Sequence, residues 1–558
     1  MDNESIFKQE AWRYRLPDAD SELTIEGTVY SEMLGATSLS RTSYYGFLRT
    51  AFPGSIAGYD QGGDPDYIPD MTWQDLRDFH NEYYHPSNCA AYLYGDLENY
   101  SEFFKLLDGY FSEYDRKEFA HDDEGYERIS GPVTAYFTHP VEAQSPTENE
   151  TEIYYAFILP GLKDDPEEEV MVNTLSDLIY ASSSNIQKRL DAELPHGTFG
   201  MYIELDGPDD AFVFMGTHLN PEDEELFRTI IDEGMAEIAE NGFPQEQLDG
   251  IMASLSISNL LARETTGIDF VEDIFTQFPS YYASTRNCWG YIDYVNGSDK
   301  MDTWNQEGKY AELAKKWFVD NDLTVCVITS PDPGQKEIND QELKDRLAAL
   351  KESLSEEEIN EIIEFTNTDD TVDNASEYVA QLQAVTVDSL PNDRKEYTVY
   401  DDTDEDGIRF INAVAGVDGI GQANIFFDAS GLEQDQLLWF RLFTSLVGDL
   451  DTDAHTRDEL QTLITRYLYN FRVNVSLLED PEKNVHPYLR MSWIGLDGDL
   501  DEGYDLMKEI VFHTSFGNAE KLLDRVSSMK SSLKSSINNS PYTRPGSRSR
   551  SAPAPSSA

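Results

Sequence analysis

The run I-Y-Y-A-F-I-L at residues 153–159 is the stretch from which the fold can be built outward. Seven apolar residues in succession, most of them β-branched or aromatic, predict a strand that is buried on both faces. The residues after it alternate between helical and strand periodicity. The pattern predicts, in order, a helical stretch at about 167–192, a strand pair at 200–205 and 211–218, and helices at 221–241 and 244–263. This order is typical of an α/β unit in which helices pack on a mixed sheet.

The same order of elements returns later in the chain. It predicts a strand at 423–427, helices at 432–449 and 456–467, strands at 469–477 and 488–494, and helices at 502–511 and 518–535. Two copies of one α/β unit are the simplest explanation. The closing part of such a unit also precedes residue 128, as a helix at 71–84, a strand at 89–94 and a helix at 101–111. The closing part of the next unit is a helix ending near Phe318 and a strand at 323–329.

The predicted fold class is therefore α/β, close to α+β: repeated mixed-sheet units with flanking helices, in two halves joined by a helical hairpin. We expect the following segments: the closing portion of a first unit at 1–128, a second unit at 129–340, the hairpin linker at 341–393, an incomplete third unit at 394–542, and a basic tail at 543–558 that is disordered by composition. The linker is expected to be broken at 367–373.

The charge of the chain is strongly negative throughout. There are 41 Lys and Arg residues against 106 Asp and Glu residues, so the formal net charge is −65. A phosphate backbone or an anionic membrane needs a cationic protein face, so we expect neither nucleic acid nor membrane as a partner. The acidity is typical of a salt-adapted surface, because salt screens self-repulsion. An acidic surface that recruits basic peptides is the alternative, and the two interpretations are compatible.

The cysteines and the hydropathy pattern bear on the compartment. Cys89, Cys288 and Cys326 lie far apart and form no disulfide framework. No apolar stretch of about 18 residues occurs, and the first residues have no signal-peptide pattern. The prediction is a reducing, cytoplasmic location.

Four short motifs stand in order near the beginning. They are Q-E-A-W-R at 9–13, E-G-T-V-Y-S-E-M-L-G-A at 26–36, G-G-D-P at 62–65, and Y-Y-H-P-S-N with the following G-D at 83–96. Together they resemble the presequence-protease branch of the pitrilysin-type zinc metallopeptidases, the inverzincins. The resemblance extends over nearly the whole chain in the order of elements and is specific over residues 9–96. It implies two halves that close like a clamshell around a short unstructured peptide and hydrolyse it.

The resemblance also implies a zinc ligand. In that family two histidines of an H-x-x-E-H helix and a later glutamate hold zinc, and the segment V-Y-S-E-M places that glutamate at Glu32. Three protein ligands leave a fourth zinc position for water, whose proton the helix glutamate takes as general base. Zinc is thus the cofactor expected of a complete family member. The alternative for Glu32 is a solvated carboxylate on a helix surface.

The sequence departs from the family at the H-x-x-E-H motif, which none of its nine histidines completes. His121 begins H-x-x-E but is followed by Gly125, which cannot bind zinc. His80 and His85 are about 140° apart around a helix that Pro86 ends, so both are predicted to be structural. The zinc histidines and the general base are expected upstream of Met1, and the family's Arg and Tyr beyond the last residue. No catalytic residue is predicted in this chain.

Two functional hypotheses follow. The first is a fragment of a zinc metalloendopeptidase that degrades short unstructured peptides and is inactive alone, the H-x-x-E-H portion being lost or supplied by a separate chain. The second is a non-catalytic peptide-binding or scaffold subunit of the same fold, without the metal.

Overall fold

The computed structural model describes residues 3–89, 99–119, 125–264, 300–368 and 398–539, except 182, 183, 206, 406, 415, 416 and 434, together with isolated positions within 91–93 and 379–387. His121 and the tail at 543–558 lie outside the described residues, and so does most of the strand predicted at 89–94.

The N-terminal region is mainly helical. A short antiparallel hairpin of β1 (Arg13–Arg15) and β2 (Thr24–Glu26) follows α1 (Glu4–Glu10) and leads into the next helices. These are α2 (Thr28–Ala36), α3 (Leu39–Ala51), α4 (Trp73–Tyr83) and α5 (Tyr100–Phe111). The helices predicted at 71–84 and 101–111 are confirmed.

The first large sheet has five strands in the order β3-β7-β4-β6-β5. They are β3 (Val133–Val141), β4 (Thr151–Leu159), β5 (Thr198–Glu204), β6 (Asp210–Leu219) and β7 (Thr324–Pro333). Strands β3 and β7 are parallel, and the other pairs are antiparallel. All nine residues of β4 are buried, as the apolar run at 153–159 predicts.

Helices cover one face of this sheet. They are α6 (Pro166–Tyr180), α7 (Asn185–Glu193), α8 (Glu224–Asn241), α9 (Gln245–Glu264), α10 (Met301–Gln306) and α11 (Lys309–Ala314). The single helical stretch predicted at 167–192 is in fact two helices. The Ser184 side chain accepts a hydrogen bond from the backbone N–H of Gln187 and so begins a new helix, a local alternative that serine offers the backbone.

The other face of the same sheet is covered by α3. Phe47 and Phe52 are fully buried there against Tyr154, Ile158 and Val213 of the sheet strands. A helix from the predicted first segment and strands from the predicted second segment therefore share one hydrophobic core.

The second large sheet repeats the first in part. Its strands are β10 (Ile420–Asp428), β11 (Tyr469–Glu479) and β12 (Val485–Leu496), in the order β10-β12-β11. The strands β4-β6-β5 have the same chain order and the same spatial order, which is the repeat that the sequence predicts. The helices of this unit are α14 (Leu437–Leu446), α15 (Arg457–Tyr467), α16 (Leu500–His513) and α17 (Ala519–Asn539). A separate hairpin of β8 (Thr398–Thr403) and β9 (Arg409–Val414) precedes the sheet.

The two sheet units contact each other through α9 and α15. The Ser254 hydroxyl donates to the carbonyl of Thr465 at 3.0 Å, and Arg466 pairs with Asp249 at 3.0 Å. Every helix among the described residues is too short or too polar to be a candidate membrane span.

The helical hairpin linker is present, but its turn lies earlier than predicted. It consists of α12 (Gln335–Ser353) and α13 (Glu356–Asn367), so the turn is at Leu354 and Ser355 and not at 367–373. Ser355 and Glu358 form a reciprocal capping box at the start of α13. The S-x-x-E pattern at 355–358 was the local signal for this turn.

Candidate functional site

Glu32 lies on α2 and is exposed to solvent. Of the residues of this short helix, only Tyr30 is buried; its backbone N–H donates to the carbonyl of Ala11. Val29 and Leu34 are also exposed, at 36% and 54%. The helix therefore presents a carboxylate between apolar side chains on an open surface.

The residue before α2 fixes where the helix starts. A Cβ atom on Gly27 would lie 2.3 Å from the carbonyl oxygen of Ala11 and 2.6 Å from the Cα of Trp12, so no other residue fits without moving backbone. Glu26, just before it, ends β2 and pairs with Arg13 and, at 3.1 Å, with Arg15 of β1. The position of Glu32 thus depends on the β1–β2 hairpin.

The G-G-D-P motif lies directly against the Glu32 helix. A Cβ atom on Gly62 would lie 2.2 Å from the sulfur of Met33, the residue after Glu32. Gly63 has φ +91°, which glycine adopts without strain. The motif is a turn, as the sequence predicts. Its contact with α2 could not be read from the sequence, because nothing in the local pattern of either segment specifies the other.

A cavity of about 650 Å³ opens beside Met33, between α3 and the turn segment. Its lining includes Arg41, Tyr45, Tyr59 and Asp60. Arg41 forms an ion pair with Asp60. Burial raises the pKa of the Asp60 carboxyl, but hydrogen bonds from Arg41 and from the backbone of Gly62 outweigh burial and hold that pKa below its usual value. The cavity wall is therefore a fixed, internally neutralised pair and not a free charge.

The two histidines predicted to be structural have local packing contacts. The ring of His80 stacks on that of Tyr84, with 4.6 Å between centroids. His85 accepts a hydrogen bond from the N–H of Ser87 at 3.1 Å and lies against Tyr114.

A buried polar cluster that sequence reasoning missed fastens α3 to the sheet. His139 Nδ1 lies 2.9 Å from the Thr42 hydroxyl, and the Ser40 hydroxyl donates to Glu152 at 2.5 Å. Burial lowers the pKa of His139, although nearby Glu152 acts in the opposite direction. Each hydroxyl meets only one of the two partners, so the groups do not form a hydroxyl–imidazole–carboxylate relay. We assign the cluster to packing.

The donor set for a metal is incomplete within the described residues. No group of three or more His, Cys, Asp or Glu side chains there is placed to hold a metal ion. Glu32 is a single exposed donor, whereas a protein zinc site needs three or four ligands. The described residues therefore do not by themselves fit a zinc ion.

The fold defines the class: an α/β protein built from repeated sheet-and-helix units joined by a helical hairpin. Residues 70–255 match the family described as Peptidase M16 inactive domain, and residues 329–558 match the associated domain of subfamily C of the same peptidases. The chain belongs to the pitrilysin-type (M16) family of metallopeptidases.

Two curated relatives and one solved structure illustrate the similarity. Protein HypA of Clostridium perfringens is 23% identical over 543 residues, which cover 95% of this chain and 55% of the relative. Presequence protease 1, chloroplastic/mitochondrial, of Arabidopsis thaliana is 22% identical over 84% of this chain and 44% of its own length. The crystal structure of pitrilysin aligns with 91% of this chain and 51% of its own, at 12% identity and a TM-score of 0.45. The chain spans about half the length of these relatives.

Proposed function

We propose that this chain is the peptide-holding part of an M16 zinc endopeptidase for short unstructured peptides, and that it is inactive alone. In this proposal Glu32 completes a zinc site whose two histidines and general base come from a separate H-x-x-E-H polypeptide. The observation that carries the proposal is the exposed Glu32 carboxylate within the V-Y-S-E-M motif, on a helix whose start is fixed by close backbone packing at Gly27. Zinc, once held, would supply an activated water molecule.

The chain's own contribution is to bind and orient. The five-stranded sheet, with helices on both faces, is a rigid body on which a peptide can be held, and α2 displays its carboxylate at the surface of the N-terminal region. The family names of its relatives, which include presequence proteases, support a peptide as the substrate class.

The first experiment tests the chain by itself. Titration calorimetry should give the same weak zinc binding for the natural chain and for Glu32→Ala, and neither should cleave a flexible fluorogenic peptide. Zinc-dependent cleavage by the purified chain alone would overturn the proposal.

The second experiment tests the composite site. The chain is co-expressed with a polypeptide from the same genome that carries H-x-x-E-H, and cleavage is measured with and without a chelator. We expect zinc-dependent cleavage that is lost in Glu32→Ala and retained in Glu22→Ala, an exposed glutamate on the preceding hairpin that serves as the matched control. Equal activity of the two variants would exclude Glu32 as a ligand.

A non-catalytic peptide-binding or scaffold subunit is the second candidate. It is supported by the match of residues 70–255 to the inactive domain of the family. Fluorescence anisotropy with a labelled unstructured peptide separates the candidates. Under the scaffold hypothesis, peptide binding is independent of zinc and of Glu32, and no H-x-x-E-H polypeptide confers cleavage.

A further inference from the structure

The linker hairpin α12–α13 packs on the β1–β2 hairpin that leads into the Glu32 helix. Leu16 and Leu23 of the N-terminal hairpin are 0% and 5% exposed, and both are buried together with Leu347 of α12. Partly buried apolar residues surround these three: Tyr14, Ile25, Leu343, Leu350, Ile359, Ile362 and Ile363. This small core joins segments that lie more than 300 residues apart in the chain.

Side chains of the linker also bind the backbone of the β1–β2 hairpin. The Thr366 hydroxyl accepts from the N–H of Leu16 at 3.1 Å. Asn367 donates to the carbonyl of Pro17 at 2.9 Å, and the Lys351 ammonium donates to the carbonyls of Ala19 and Ser21 at 2.8 and 2.6 Å. Backbone groups that lie outside a strand ladder need partners, and here the linker supplies four of them.

The contact continues to the start of α2. The Arg13 guanidinium lies 5.6 Å from the centre of the Phe365 ring and pairs with Glu26 at the end of β2. Gly27 follows Glu26 and begins α2, and Glu32 comes five residues later. Each step in this path is a direct contact or a peptide bond.

We infer that the linker hairpin is a positioning element for α2, with Leu347, Lys351 and Thr366 as positioning residues. The junction between the two sheet units and the exposed Glu32 carboxylate are then mechanically linked, so a shift of the hairpin moves the helix. This inference rests on the proposed function only in giving Glu32 a role; the link itself is independent of any metal.

Hydrogen exchange measured by mass spectrometry on the full chain tests the link. In Lys351→Met and Thr366→Val we expect the backbone amides of 24–36 to exchange at least about tenfold faster than in the natural chain, while those of 151–159 stay unchanged. Lys344→Met is the matched control, because Lys344 is an exposed lysine on the same helix. Lys351→Arg and Thr366→Ser keep the donor or the hydroxyl and should restore slow exchange.

Two outcomes would overturn the inference. One is faster exchange confined to 13–23 with α2 unaffected, since the contact would then be local packing only. The other is equal exchange in Lys351→Met and Lys344→Met. Because the measurement involves no metal, a positive result combined with an active Glu32→Ala complex would leave the positioning role standing and reject the proposed function.

Discussion

At the scale of single residues, two glycines of the Glu32 region have opposite roles. Gly27 lies against backbone atoms of Ala11 and Trp12, whereas a Cβ atom on Gly35, near the end of α2, would meet nothing within 4 Å. The first glycine is required by close packing, and the second only leaves the helix more flexible.

Substitution of these glycines should therefore have opposite signs. We expect Gly27→Ala to lower the free energy of unfolding by about 2–4 kcal/mol, because backbone atoms must move to admit the methyl group. Gly35→Ala should raise it by about 0.5–1 kcal/mol, because alanine loses less entropy in a helix. Urea unfolding of both variants checks the pair, and equal effects would mean that Gly27 is not sterically constrained.

A buried acidic group at the end of the first sheet gives a second residue-scale prediction. Asp210 is fully buried, with its nearest cation, Lys163, at 3.5 Å. Burial raises the pKa of Asp210 to about 6 against the opposing effect of Lys163. Burial, and then the charge of Asp210, raise the pKa of Glu169 to about 7.

Both carboxyls hold protons more tightly in the folded chain than in the unfolded chain. Their stabilising contribution is thus present below about pH 4 and is lost as the pH rises to about 7, on the order of 1–3 kcal/mol in total. Glu169→Gln should flatten this fall in stability, measured as urea midpoints between pH 4.5 and 7.5. Glu167→Gln, at an exposed position in the same helix turn, should leave it unchanged. Identical profiles for the two variants would contradict the assignment.

At the scale of elements, the predictions from periodicity hold best where a pattern is long. The strands at 153–159 and 423–427 and the helices after them are confirmed, because burial of one face imposes a period that the residues themselves carry. Predictions were wrong where a short polar signal decided the structure. The serine before α7 splits one predicted helix, and the capping box at Ser355 places the linker turn about twelve residues earlier than expected.

At the scale of the whole molecule, the dominant property is a net charge of −65. The 26 ion pairs found among the described residues neutralise only part of the 106 acidic side chains. Self-repulsion should therefore destabilise the folded chain at low ionic strength.

This predicts a salt requirement. The melting temperature should rise by several degrees as KCl increases from about 0.05 to 0.5 M, and then level off, because the Debye length changes most over that range. Sucrose at matched osmolality is the control, since it acts by exclusion and does not screen charge. A melting temperature that is insensitive to KCl would contradict a salt-adapted surface.

The sequence by itself determined the types of the main elements, the repeat of the α/β unit and the motifs that place Glu32, because helix and strand periods and turn residues are properties of neighbouring positions. Only the tertiary structure decided that α3 completes the core of the five-stranded sheet, that Gly62 lies against Met33, and that Thr366 binds the backbone at Leu16. Those contacts join segments far apart in the chain. They depend on how whole elements pack, and no local pattern in either segment specifies its partner.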